Sequence, residues 1–435
     1  MNNDPTYQQP LCSPCATCDE SNTTTTRKRD VNETKTTAND AVRCVPQLRF
    51  PEFQNTGEWK PVTLKDIGKT YNGLSGKSGG DFGTGEPYVA YKQVFNGTTI
   101  KIEDCPLVTI KEGEKQNKLK KGDILVTISS ETAQEIGMVN VITEDFKRSV
   151  YLNSFCFIFR PHSNCFIPSF AKYLFSSPSY RKQIISIAQG ITRYNLSKDN
   201  FLKLTLFIPN LEEQQKIASC LLSIDDYIFS TTQKLEQLKA HKKALLQKLF
   251  PQRGKTTPEL RFPEFQSEGD WIAKRMGEII KVNSGRDYKH LKHGDIPVYG
   301  TGGYMLSVDD FLSDVDAVGI GRKGTIDKPQ YLKAPFWTVD TLFFLTSNEG
   351  YDTKYLYYLS QTIPWKKYGE QTGVPSLSKI AIENLEVTVS PNINEQKKIA
   401  NVLSALDKSE EILSNKILLL WQHKESLMQK LFVRL

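Results

Sequence analysis

The side chains in this sequence best suited to chemistry are basic and amide groups interleaved with aromatic rings. Lys77, Lys92, Gln93, Asn96, Arg193, Tyr194 and Asn195 make one set, and Arg286, Tyr288, Lys289, Tyr299, Tyr304, Arg322, Lys323, Lys328 and Gln371 make another. Lysine and arginine neutralise phosphates, while arginine, asparagine and glutamine can pair bidentately with base edges in a major groove. Taken singly, each is an ordinary surface residue. Groups for covalent or hydrolytic chemistry are missing: no HExxH, GxSxG or Cys/His nucleophile pairing occurs. Gly76, Lys77 and Ser78 imitate the end of a phosphate-binding loop, but Tyr71 stands where its first glycine belongs. Gly319, Gly321 and Gly324 spell GxGxxG, yet the residues that follow run into Pro329 and offer no helix N-terminus for a pyrophosphate. His290 and His293 lie near Arg286, Lys289 and Lys292, which reads as a solvated basic patch, a phosphate contact or a metal pair. Cys12, Cys15 and Cys18 form a CxxCxxC run without a fourth ligand nearby, so no metal site is expected. Cys105, Cys156, Cys165 and Cys220 read as scattered small core residues.

The elements that must position these groups are repeated. The stretch 211–250, beginning LEEQQKIA and ending QKLF, returns near the end of the chain at an offset of 182, so that Glu213, Gln214, Lys216, Ile217 and Ala218 fall on Glu395, Gln396, Lys398, Ile399 and Ala400. In the first copy, Ile217, Leu221, Ile224, Ile228, Thr231, Leu235, Leu238, Lys242, Leu245 and Leu249 recur at steps of four and three. The second copy has Ile399, Leu403, Leu406, Glu410, Leu413, Ile417, Leu420, Lys424, Leu427 and Leu431 at the same phases. This is a heptad seam, and it predicts two helical rods of roughly 50 Å, each suited to one partner helix. Lys242 and Lys424 interrupt the seams at equivalent places, where a polar group lowers stability but can fix register.

A second repeated phrase opens each unit. PQLRFPEF and PELRFPEF, followed by Trp59 and Trp271, recur at an offset of 212, so the chain is two tandem units with the first body 30 residues longer than the second. Strands are predicted in the first body at 88–94, 123–128, 138–142 and 155–159, with a helix at 169–187. In the second body, strands are predicted at 317–320, 341–346 and 386–389, with a helix at 353–361. Both bodies are mixed α/β. Each ends in similar polar text, QGITRYNLSK at 189–198 and QTGVPSLSK at 371–379, a candidate contact surface. The expected organisation is a disordered extension over 1–45, a first globular domain over 46–210, a helix over 211–257, a second domain over 258–391 and a second helix over 392–435. The extension is rich in Thr and Asn and lacks bulky aliphatic residues, so it cannot offset chain entropy. A net charge of +7 suits a polyanionic partner without requiring one. No secretory signal and no apolar run of membrane-spanning length is visible, which predicts a cytoplasmic protein with no membrane partner.

Together, LRFPEF with its tryptophan, EEQQKIA and NEQKKIA, and the long helices ending QKLF resemble the specificity subunit of type I restriction-modification enzymes. The likeness spans residues 46–435 and extends to EPYVAYKQVFNG and KKGDIL in the first body and to IPVYGTGG, GRKGTI and FWTVDTLFFL in the second. The resemblance implies an α/β (α+β) fold of two target-recognition domains held apart by two long antiparallel coiled-coil helices with pseudo-two-fold symmetry. It implies a non-catalytic subunit that reads a bipartite sequence in double-stranded DNA and scaffolds two modification (methyltransferase) subunits together with restriction (translocase and nuclease) subunits. It also implies no cofactor in this chain, with S-adenosylmethionine, ATP and Mg on the partner subunits. The residues agree, since no Asn-Pro-Pro-Tyr motif and no complete Walker A motif is present. The front extension departs from the pattern. Two readings stand beside it: a nucleotide-dependent transferase using the Gly319–Gly324 loop, and a coiled-coil adaptor that does not bind DNA.

Overall fold

The computed structural model describes residues 44–97, 99–162, 165–369 and 374–434, and Cys44–Leu435 form one compact unit. The expected disorder over 1–45, apart from Cys44 and Val45, lies outside the described residues, as do Cys12, Cys15, Cys18 and Gln371.

Leu211–Leu249 and Ile393–Lys430 are the two rod helices, each about 58 Å long at 1.5 Å per residue. Both begin on an asparagine cap. The side chain of Asn210 accepts from the Glu213 amide at 2.8 Å, and that of Asn392 from the Asn394 amide at 2.8 Å. Acidic residues in the first turns complement the helix dipoles. The first rod ends where Phe250 turns extended ahead of Pro251. On the first rod, Ile217, Leu221, Ile228, Thr231, Leu235 and Leu249 are buried, with Ile224, Leu238, Lys242 and Leu245 half-buried. On the second, Ile399, Leu403, Ile417 and Leu431 are buried, with Leu406, Glu410, Leu413, Leu420, Lys424 and Leu427 half-buried. The rods pack on each other antiparallel. Ile217 and Leu221 share one core with Met428, Leu431 and Phe432, while Leu249 and Phe250 share another with Ile399 and Leu403.

Each core belongs to one globular body, and the two bodies repeat one topology. In the first, an antiparallel sheet runs in the order Gly68–Asn72, Cys156–Pro161, Ile124–Thr127, Val139–Val141. Its counterpart in the second runs Ile280–Ser284, Leu342–Ser347, Ala317–Gly321, Gln330–Leu332. A smaller sheet has Phe82–Val89 between Leu107–Val108 and Tyr151–Leu152, matched by His293–Gly300 between Gly303–Val308 and Trp337–Thr338. A two-stranded ribbon ties the start of each body to its end, Lys60–Thr63 with Thr205–Ile208 and Ile272–Arg275 with Glu386–Val389.

Local sequence misled in three places. The strand expected over 88–94 stops at Val89, and Tyr91–Phe95 is a short helix whose Gln93 side chain accepts from the Ala90 amide at 2.8 Å. The single helix expected over 169–187 is two, Pro168–Leu174 and Pro178–Ser186. Pro178 cannot donate to the preceding turn, and Ser177 caps the new start by accepting from the Tyr180 amide. The hairpin of His293–Gly300 and Gly303–Val308 was not foreseen, because its glycines and polar residues mask the two-residue period.

The repeated phrases meet each other in space. Arg49 of the first LRFPEF donates through Nε and Nη2 to the two carboxylate oxygens of Glu213, at 2.7 Å each, and the Trp59 indole donates to the same carboxylate at 3.2 Å. In the second unit, Arg261 donates to Glu395 at 2.7 and 3.0 Å and Trp271 donates to it at 3.1 Å. Both glutamates are buried, so each needs this full set of donors. The neighbouring glutamines clamp the body: Gln214 accepts from the Ile167 amide, and Gln396 from the Asp352 amide. The phenylalanines of QKLF close the arrangement edge-on, Phe432 against Trp59 and Phe250 against Trp271. Since Phe432 follows the second rod and Trp59 opens the first body, the end of the second unit is packed on the start of the first.

Candidate nucleic-acid interface

In the first body, Tyr194–Asn195 is a short strand paired antiparallel with Ser129–Ser130, and the turn leading into it carries Ile191 and Arg193. Gly190, at φ +129°, makes that turn possible, because a Cβ there would meet the Arg193 carbonyl at 2.1 Å. Arg193 and Asn195 line an open cleft of about 280 Å³ together with Ile128, Ser129, Ser154 and Phe155. Arg193 donates to the Ser129 hydroxyl at 3.2 Å, and the Tyr91 hydroxyl donates to the Ser129 carbonyl at 2.8 Å. Burial raises the Tyr91 phenol. Phe155 is 58% exposed and Ile191 92% exposed at the cleft and its adjoining turn.

The second body has the same scaffold with different residues. The Ile128 amide donates to the Phe155 carbonyl, as the Arg322 amide does to Thr341; Leu196 donates to the Ile128 carbonyl, as Leu377 does to Arg322. Ser129 pairs with Asn195, as Lys323 does with Ser376. Arg322 and Lys323 thus stand where the first body has Ile128 and Ser129. Both are exposed, and the Arg322 guanidinium lies over the Phe343 ring. Leu196 and Leu377 are buried anchors, and Ser197 and Ser378 precede short helices, so the ends of the two similar phrases hold the fold, while Ile191 and Arg193 in the first and Val374 in the second are exposed.

The remaining candidates fall into three groups. Lys92 on the short helix of the first body and Asn96 just past its end, and Arg286, Lys289, Tyr304 and Lys328 in the second, are exposed. Tyr194, Tyr288 and Tyr299 are half-buried; Tyr299 pairs across the hairpin with Tyr304, and burial raises its phenol. Lys77 and Gln93 are committed inside the first body. The Lys77 side chain, 5% exposed, donates to Glu114 at 2.5 Å and to the Thr109 carbonyl at 2.6 Å, leaving it no reach to a phosphate. Gln93 caps its own helix. His290 packs edge-on against Trp337, and no cluster of three or more metal-binding side chains occurs among the described residues. Ile191 lies in the phrase 189–198 read as a candidate contact surface, but Phe155 and Ser129 escaped the sequence reading because an exposed apolar residue and a strand-edge hydroxyl have no distinguishing pattern.

The GxGxxG loop is structural. Gly319 and Gly321 lie in the buried strand Ala317–Gly321, where a Cβ on Gly321 would meet the Thr325 carbonyl at 2.2 Å. The chain then buries Ile326 and enters the strand Gln330–Leu332, so no helix presents its amides to a phosphate.

A sequence profile described as the type I restriction modification DNA specificity domain matches residues 56–240 and 268–420, most of the chain. This protein belongs to that family. Among curated relatives of the specificity family, the MjaVIII specificity subunit of Methanocaldococcus jannaschii is 24% identical over 278 residues, covering 55% of this chain and 64% of that one, just under two thirds. The putative MjaX specificity subunit of the same organism is 26% identical over 403 residues, covering 82% of this chain and 88% of that one. Among solved structures, the S subunit of a type I restriction-modification system from M. genitalium is similar with a TM-score of 0.59 at 18% identity, covering 90% of this chain and all of that one. The repeated fold described above is therefore the fold of type I specificity subunits. Among the described residues, no helix is long and apolar enough to cross a membrane.

Proposed function

We propose that this specificity-family member is a non-catalytic DNA reader and scaffold. Each globular body reads one half of a bipartite target, the first through its cleft and neighbouring loops and the second through the equivalent strand ends and loops, and the rods set the distance between the halves. The observation that carries the reading is the pair of equivalent positions, Ile128–Ser129 and Arg322–Lys323, where one scaffold presents different side chains. Two different half-sites need that arrangement. We assign Lys92, Asn96, Arg193, Tyr194 and Asn195 to one half-site and Arg286, Tyr288, Lys289, Tyr299, Tyr304, Arg322, Lys323, Lys328 and Gln371 to the other, as contacts to bases or phosphates. Lys77 and Gln93 act from within the fold.

The rods also carry exposed apolar side chains away from their seam: Tyr227 and Phe229 on the first, and Ile412, Leu418, Leu419 and Trp421 on the second. Surface of that kind suits partner helices, and in this reading the partners are two methyltransferase subunits with restriction subunits beyond them. S-adenosylmethionine, ATP and Mg bind on those partners. Mapping methylated bases in cells with and without this chain tests the proposal. The expected result is a two-part motif with a fixed spacer that vanishes with the chain; unchanged methylation would overturn it.

A further inference from the structure

We infer that two Tyr–Asp–Lys clamps fix the pitch of the globular bodies on the rods and so restrict the spacer length the protein accepts, an inference that rests on the function proposed above. In the first clamp, the Tyr173 hydroxyl, on the helix Pro168–Leu174 of the first body, donates to Oδ2 of Asp225 on the first rod at 2.8 Å. Oδ1 of Asp225 is 2.5 Å from Nζ of Lys424 on the second rod, and Nζ of Lys172 stands 3.8 Å from Oδ2. In the second clamp, the Tyr358 hydroxyl, on the helix Thr353–Thr362 of the second body, donates to Oδ2 of Asp407 on the second rod and lies 3.3 Å from the Ser404 hydroxyl. Lys242 of the first rod donates to Oδ1 of the same aspartate and stands 4.0 Å from Glu410. Each carboxylate is thus a junction of three elements: a body, the rod of its own unit, and the rod of the other unit. Asp225 and Asp407 are separated by 182 residues, as are Lys242 and Lys424, so both junctions occupy the same place in the repeat.

An apolar seam is non-directional and tolerates small rolls and slides, whereas hydrogen bonds to a charged group are directional. The position of the clamps gives that property a use. One added base pair in the spacer moves a half-site by about 3.4 Å and turns it by about 35° around the duplex. A body that follows must pivot on the rods. The pivot draws its tyrosine away from the aspartate while the lysine of the opposite rod holds that carboxylate in place. The clamps therefore oppose the motion that a wrong spacer demands, and they do so without touching DNA. Stability alone does not call for this chemistry, since a well-packed apolar residue often serves a helix seam as well as a partly buried ion pair.

The test uses the chain assembled with the methyltransferase subunits of its own source and a set of duplexes carrying the native half-sites with spacers of native length, one base pair shorter and one base pair longer. Replacing both tyrosines (Tyr173→Phe with Tyr358→Phe) removes two charge-assisted hydrogen bonds and should leave the half-site motif intact while raising methylation of the off-length duplexes by at least about tenfold relative to the native one, a factor of about ten being expected for each bond lost. Asp225→Asn with Asp407→Asn keeps the shapes and should move the ratio in the same direction. An unchanged spacer profile in active complexes of both variants would overturn the inference. So would a loss of methylation that simply tracks loss of folded protein by circular dichroism, because the contacts would then serve stability alone. A wild-type complex that shows no two-part motif would instead refute the proposed function.

Discussion

Glu213 and Glu395 each hold an arginine and a tryptophan in place at a buried carboxylate, and the consequence for a point substitution differs sharply from that at the exposed pairs nearby. Glu213→Ala leaves the Arg49 guanidinium, whose side chain is 7% exposed, without its partner and the Trp59 indole without an acceptor. Breaking such a pair costs about 3 kcal/mol or more, and urea denaturation followed by tryptophan fluorescence should show that loss. Glu52→Ala, which removes an exposed partner of Lys216, should leave the same midpoint unchanged. Glu114 supplies a pH-dependent counterpart. Lys77 beside it, with Gln116 and the Lys111 amide, holds its carboxylate down at about 2 against an ordinary value of 4.5. A depressed carboxylate contributes stability above its unfolded value and loses that contribution as pH falls toward its folded value. The melting temperature of the wild type should therefore drop between about pH 4.5 and about pH 2 more steeply than that of Glu114→Gln, as scanning calorimetry would show.

At the scale of the helices, the seam and its interruptions act together. Inserting one whole heptad into both rods, after Leu238 and after Leu420, keeps the apolar phase and lengthens each rod by about 10 Å. In the proposed function this adds up to about three base pairs to the spacer, fewer if the rods are tilted to the duplex. Half-site sequences should stay the same, because no loop of either globular body is touched. Methylation mapping of the variant decides the matter: an active complex with an unchanged spacer would show that the rods do not set the distance. A four-residue insertion in one rod alone should separate Lys242 from Asp407 or Lys424 from Asp225 and weaken assembly, visible by size-exclusion chromatography.

For the whole molecule, the duplicated frame predicts modular behaviour. Replacing residues 64–209 with the equivalent body of another specificity-family protein should change one half of the methylated motif and leave the other half as it was, provided Arg49, Trp59 and the rods are retained. Mapping that finds both halves altered would count against independent reading by the two bodies. Deleting residues 1–43 should leave the motif intact. The deletion must stop there, because the Cys44 carbonyl accepts from the Trp59 amide at 2.9 Å, just as the Thr256 carbonyl accepts from Trp271 in the second unit. Sequencing of methylated DNA from cells carrying the shortened chain checks this.

Periodicity and repetition are properties of the chain itself. The two long helices could therefore be read from the spacing of Ile217 to Leu249, and the duplication from the recurrence of LRFPEF and QKLF. The family could be read from the same words, because they build the frame: Arg49, Trp59, Glu213 and Phe432 meet across almost the entire chain, and such a junction tolerates few substitutions. What the tertiary structure alone decided lies in the bodies. Lys77 looks like any surface lysine until Glu114 and Thr109 enclose it, and Phe155 like any core phenylalanine until the edge of the cleft leaves it exposed. Lys242 and Lys424 were legible as interruptions of the seam, but the tyrosine and aspartate that give them a purpose come from other elements. Spacing along the chain records what one helix or strand presents on a face. Which groups converge from separate elements is a matter of packing, and that information exists only once the fold has formed.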